Sequence, residues 1–281
     1  MKTTTVGEST IVPARTKSLA IFFIVAFTFT WLVLAPAVLS AAGVISLSLS
    51  STLLITVATL GPLLGAVGAA AYESGSAGVR ALLSQASRWR LHPAWYAVVL
   101  LGPALIMLAA FLLWRILGGP QLSAPPLNAW LSIPILVVVL LIPALFEEIG
   151  WRGFALPRLQ TRYGALAASL IVGVAWAIWH VPIWFIPDAG FSTLPFPVFM
   201  AFTIALSILF TWLYNSTGSV LLPALAHAAI NASPLPWNTA VYLLPEGARG
   251  MHLQIPVTVV MVALALLLLL LTRPKTLTRG S

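Results

Sequence analysis

Apolar residues run through this chain in long, uninterrupted stretches broken by short clusters of Gly, Pro, Ser, Asn and charged residues. The stretches at about 19–39, 52–72, 94–117, 129–147, 165–186, 197–214, 219–234 and 253–272 approach or reach the roughly 20 apolar residues that a helix needs to cross a bilayer. The pattern therefore predicts an all-α, polytopic membrane protein of about eight transmembrane helices. Its organisation follows: a tail at 1–18, a single transmembrane domain at 19–272 and a second tail at 273–281, with loops too short to hold a separate soluble domain.

Composition sharpens this. Of 281 residues, 60% are hydrophobic and 7% charged, against about 25% charged in soluble globular chains. The net charge of +8 would suit a nucleic-acid binder only if the basic residues shared one solvated face. They lie scattered between apolar runs, so the expected partners are membrane lipids and a substrate, not nucleic acid. Excess Lys and Arg in cytoplasmic loops orients such a chain. With eight spans and the N-terminus inside, every basic residue except Arg115 and Arg249 falls on one side. The expectation is a multi-pass protein of the plasma membrane with both termini cytoplasmic. The first apolar run is too long for a cleaved signal peptide. With no cysteine there is no disulfide, thiol nucleophile or thiolate metal site. No internal repeat marks a transporter of duplicated halves. Gly61, Pro62, Gly65 and Gly68 offer a small-residue packing face and a site for a kink. Trp31, Trp95, Trp130 and Trp237 read as interfacial anchors, and His92 and His252, beside loops, as interfacial.

The informative residues are the ionisable ones inside apolar runs. At the bilayer centre each costs about 2.5–3.5 kcal/mol on insertion scales, so each must face protein or water. Glu147 and Glu148 end the fourth run, followed by Ile149-Gly150-Trp151-Arg152-Gly153. If the helix continues, Glu148 and Arg152 lie one turn apart and can pair, while Glu147 points elsewhere and is left free to act as general base or acid. His180 lies deep in the fifth run, before Pro182. His227 and Asn231 share a face of the seventh, one turn apart. Each feature alone reads as helix-end pairing or interhelical hydrogen bonding; together they read more economically as one polar pocket.

A carboxylate to deprotonate water, imidazoles to position it and N–H groups to stabilise an oxyanion make an amide-hydrolysing site. A two-aspartate mechanism is excluded because Asp188 is the only Asp. A His-Glu-x-x-His zinc motif and a Gly-x-Ser-x-Gly elbow are absent. Two readings from other classes compete: a proton-coupled carrier using Glu147, Glu148 and His180 as a relay, and a non-catalytic membrane scaffold whose polar pocket is interhelical glue.

Glu147-Glu148-x-x-x-Arg152, then an aromatic-x-x-x-His at Trp176 to His180, then His227-x-x-x-Asn231 resemble the three signature motifs of the CPBP family. These are the CAAX-protease and bacteriocin-processing intramembrane proteases related to Rce1-type endopeptidases, also called the Abi family. The resemblance covers about residues 129–234. It implies an intramembrane endopeptidase in which Glu147 activates water, with His180 helping to position or deprotonate it. His227 and Asn231 would stabilise the oxyanion, while Glu148 and Arg152 structure the site or hold the substrate's carboxylate end. The implied substrate is a peptide or prenylated protein. Trp176 stands where the family often has Phe and is expected to keep the same aromatic wall. The family is commonly labelled metalloprotease, yet the same residues can act as a metal-free glutamate protease. In number, Glu147, His180 and His227 would satisfy a three-ligand catalytic zinc site, so the cofactor is either none or a divalent metal such as zinc.

Overall fold

The computed structural model describes residues 8–46, 49–120, 126–189, 194–233 and 254–278. Trp237, Arg249 and His252, used above, lie outside the described residues. The described chain is helical, without strands: α1 Glu8–Ala41, α2 Ser51–Ala58, α3 Leu60–Ser84, α4 Pro93–Ile116, α5 Leu127–Leu131, α6 Ile133–Glu148, α7 Leu156–Trp179, α8 Phe196–Thr217, α9 Leu221–Ala232 and α10 Gln254–Leu271. A π-helical segment, Ile149–Ala155, joins α6 to α7, and two short 3-10 turns, Val181–Phe185 and Pro187–Ala189, follow α7.

Every expected apolar run contains helix, but the runs differ in reach. Among the described residues, six stretches are long and apolar enough to cross a bilayer: Thr16–Ala41, Ser51–Ser84, Pro93–Ile116, Ile133–Phe185, Phe196–Thr217 and Gln254–Leu271. The fourth of these holds two expected spans. Its 53 residues would reach about 80 Å if straight, at about 1.5 Å per residue. It is broken at Gly164, whose φ of 76° and ψ of 172° leave the helical region and favour a residue without Cβ. The seventh expected span is α9, whose 12 residues reach about 18 Å against an apolar core of about 30 Å. Large apolar side chains such as Leu101, Leu105, Ile135, Val138 and Leu270 are exposed on the helices, as suits surfaces facing lipid.

The break at Gly164 orphans the amides that open the second half of α7. Ala165 N–H donates to the Lys275 carbonyl at 2.9 Å and Leu166 N–H to that of Pro274 at 3.0 Å. Asn215 Nδ2 also donates to the Thr276 carbonyl at 2.7 Å, and Leu277 is fully buried. The stretch 273–278, within the expected tail, therefore packs onto the fold and supplies carbonyls to a helix start that has lost its own partners.

Of the small-residue face, Gly61 and Gly65 press on α1: a Cβ at Gly65 would stand 2.6 Å from the Phe22 carbonyl. Gly68 meets nothing within 4 Å, and the helix departs from α geometry at Ser74–Gly75 instead of at Pro62. Trp31 and Trp130 are exposed, and the Trp31 indole donates to the Trp179 carbonyl at 3.2 Å. By contrast Trp114, Trp151, Trp176 and Trp179 are buried, and the last three surround the polar residues. His92 caps α4, its Nδ1 accepting from Ala94 N–H at 3.2 Å.

Candidate active site

Glu147 and Glu148 are the last residues of α6, and the wider π turn carries the chain on to Arg152. All seven residues of that turn are buried. Gly150 allows it to seat against α3, since a Cβ there would lie 2.6 Å from the Pro62 carbonyl. Gly153 offers its carbonyl to Gln85 Nε2 at 3.3 Å.

The two carboxylates part company at once. Glu148 is wholly buried. Arg152 Nη1 stands 2.9 Å from one of its oxygens and 2.8 Å from the other, and His227 Nδ1 lies 3.0 Å from Oε1. The rest of the Arg152 guanidinium is held by rings, its central carbon 4.5 Å from the Trp176 ring centre and 4.9 Å from that of Phe210. Arg152 Nε and Nη2 have no hydrogen-bond partner among the described residues. Aromatic faces stand in for them, which a planar guanidinium tolerates better than an ammonium would.

Glu147 is not free, as its position had suggested. Its Oε2 accepts the indole N–H of Trp176 at 2.8 Å. The aromatic residue that was expected only as a wall is thus a donor to the site carboxylate, which a Phe could not be. A buried indole N–H usually finds a partner, so the sequence signalled that Trp176 would need an acceptor but not that Glu147 would be it. Phe210 left no such signal, since nothing distinguishes it from other apolar residues of α8.

His180 caps the end of α7, and its Nδ1 lies 2.8 Å from the Trp176 carbonyl. A carbonyl can only accept, so Nδ1 carries the proton and Nε2 of the neutral ring presents a lone pair. The ring is fixed edge-on between Trp179 and Phe199, with centroid distances of 4.6 and 5.2 Å. His227, on α9, has its Nδ1 on the Glu148 carboxylate, so its Nε2 can donate only when the ring is an imidazolium. Asn231, one turn on and exposed, completes the set.

A cavity of about 580 Å³ is lined by Glu147, Trp176, His180, His227 and Asn231, together with apolar residues from α1, α4, α8 and α10. Glu148 and Arg152 are not part of its lining. A second, apolar groove of about 420 Å³ lies between α4, α8 and α10, and shares Pro103, Ile106, Leu206, Ile230 and Met261 with the walls of the first. The structure thus brings all six expected residues into one cluster and divides them into two layers.

The metal alternative can be tested on the same geometry. Among the described residues, no three His, Cys, Asp or Glu side chains stand close enough together to hold one ion. Glu147, His180 and His227, whose number would suit a zinc site, do not converge on one point in this arrangement. One carboxylate oxygen is taken by Trp176, and its indole packs against both imidazoles, with ring centroids 6.0 Å from His180 and 5.2 Å from His227.

Residues 128–233 match the family described as type II CAAX prenyl endopeptidase Rce1-like. The protein named CAAX prenyl protease 2 of Methanococcus maripaludis is 33% identical over 146 residues, which cover 48% of this chain and 53% of that protein. The match thus spans about half the length of this curated relative.

Proposed function

We propose that this chain, which carries an Rce1-like CAAX prenyl endopeptidase domain, is an integral membrane endopeptidase that hydrolyses a peptide bond in the Glu147 cavity without a metal. One observation carries the reading. Among the described residues, Glu147 is the only acidic residue lining a cavity that also presents two imidazoles and the Asn231 amide.

In this mechanism Glu147 Oε1, the oxygen not bound by Trp176, takes a proton from water while the lone pair on His180 Nε2 orients that water. The hydroxide adds to the substrate carbonyl carbon. Asn231 Nδ2 and, in its imidazolium form, His227 Nε2 donate to the resulting oxyanion, and the Glu148 carboxylate behind His227 balances that charge. Glu147 then passes its proton to the departing nitrogen, the C–N bond breaks, and the carboxylate is restored. Glu148 and Arg152 hold the layer behind the cavity.

The relative's printed name and the apolar groove together support a prenylated C-terminal peptide as substrate. The groove offers an all-apolar surface beside the polar cavity, where a lipid chain could lie while the peptide reaches Glu147. The distribution of Lys and Arg supports both termini lying on the cytoplasmic side of the plasma membrane.

The test is cleavage of a farnesylated CAAX peptide and its unmodified counterpart by the purified protein in liposomes, with and without a strong chelator, and with Glu147→Ala alongside. The reading expects cleavage of the farnesylated peptide that survives the chelator and is lost in Glu147→Ala. Cleavage abolished by the chelator and restored by a metal would overturn the metal-free mechanism. Proton flux with no cleavage product would favour the carrier.

A further inference from the structure

Trp176 touches four of the six site residues, Glu147, Arg152, His180 and His227. Its indole N–H donates to Glu147 Oε2 at 2.8 Å, and its carbonyl accepts from His180 Nδ1 at 2.8 Å. The face of its ring carries the Arg152 guanidinium at 4.5 Å, and His227 meets it nearly at right angles, 80° between the planes at a centroid distance of 5.2 Å. The ring itself is 2% exposed. It stands between the cavity, where Glu147 opens, and the Glu148–Arg152 pair behind. Three of these contacts need only an aromatic residue and its backbone. The fourth needs an indole.

We propose that Trp176 is a positioning residue whose indole N–H fixes the Glu147 carboxylate in one orientation, leaving a single oxygen, Oε1, to act on water. Without the donor, a carboxylate on a two-bond stem can rotate and present either oxygen, and most of its orientations are not in line with an incoming carbonyl. A hydrogen bond to an ionised acceptor is among the stronger ones in proteins, so it selects one rotamer before substrate arrives. Such preorganisation acts on the chemical step more than on binding. The same bond explains how this chain can use Trp where an aromatic ring alone would complete the wall. The proposal rests on the reading of Glu147 as the water-activating base.

Its test is Trp176→Phe, which keeps a ring for Arg152 and His227 and removes the donor. A second variant places 3-benzothienylalanine at 176 by amber suppression, retaining the bicyclic shape with sulfur in place of N–H. Wild type and Glu147→Ala are assayed in parallel on the farnesylated peptide. Both Trp176 variants should lower kcat by about 10- to 100-fold, the range of one hydrogen bond to a charged group, with KM within about twofold. Equal kcat for wild type and the benzothienyl variant would overturn the proposal. A fall in Trp176→Phe alone would do the same, by assigning the effect to ring size.

An activity-independent readout keeps this separate from the function itself. In ultraviolet resonance Raman difference spectra, wild type minus Trp176→Phe should show a strongly hydrogen-bonded indole N–H, and that signature should weaken in Glu147→Ala. An unchanged indole signature in Glu147→Ala would overturn the proposal even if the enzyme is active. A wild type that shows the bond but cleaves nothing would instead count against the endopeptidase reading.

Discussion

Glu147 and Glu148 are neighbours in sequence and face different sides of one wall. Glu148 lies behind it, wholly buried, held by a guanidinium and an imidazole. Glu147 lies at the front, 5% exposed and lining the cavity, with one oxygen bound by an indole. Trp176 forms much of the wall between them. In a low-dielectric interior an uncompensated charge is expensive and a compensated one is inert. The back layer is matched in charge and serves as support, although Glu148 Oε2 and Arg152 Nε and Nη2 have no hydrogen-bond partner among the described residues. The front layer turns an acceptor oxygen toward the cavity, and chemistry belongs where a group can reach substrate.

The largest effect should come from the front. Glu147→Gln keeps the shape and an acceptor for Trp176 but cannot take a proton, so turnover of the farnesylated peptide should fall by about 10³-fold, within the range for general acid–base groups. Its thermal midpoint should stay at the wild-type value. Next, Arg152→Ala strands Glu148 without its counter-charge and should destabilise the protein by about 3–5 kcal/mol, as breaking buried pairs does, measured by thermal unfolding in detergent. Asn231→Ala removes one oxyanion donor and should reduce kcat by roughly 100-fold with stability unchanged, because the residue is exposed. The smallest effect is expected from Gly102→Phe. Gly102 lines the apolar groove, and a Cβ there meets nothing within 4 Å. The new ring should raise KM a few-fold for the farnesylated peptide and leave the unmodified one unaffected.

Much of this architecture is legible in the residues themselves. Apolar runs locate the helices because lipid tolerates few alternatives, and ionisable residues within those runs mark the cluster because each needs a partner or water. What escaped that logic depends on geometry a one-dimensional pattern does not carry. The pairing of Trp176 with Glu147 joins residues 29 apart in sequence, and hydropathy counts Trp as bulk. Leu277 reads as a tail residue, and only the break at Gly164 gives the stretch around it a helix end to cap. Run 219–234 is apolar enough for a span, yet α9 is too short to be one by itself. The number of Glu147, His180 and His227 would suit a metal site, but their spacing along the chain carries no distances, and their arrangement around the Trp176 ring appears only in the fold.

The most direct test of the front-and-back division compares Glu147→Gln with Glu148→Gln, each scored for farnesylated-peptide cleavage and for thermal midpoint in the same detergent. The account predicts that Glu147→Gln is inactive with a wild-type midpoint, whereas Glu148→Gln melts several degrees lower and retains measurable cleavage at low temperature. A fully stable, inactive Glu148→Gln beside an active Glu147→Gln would contradict it.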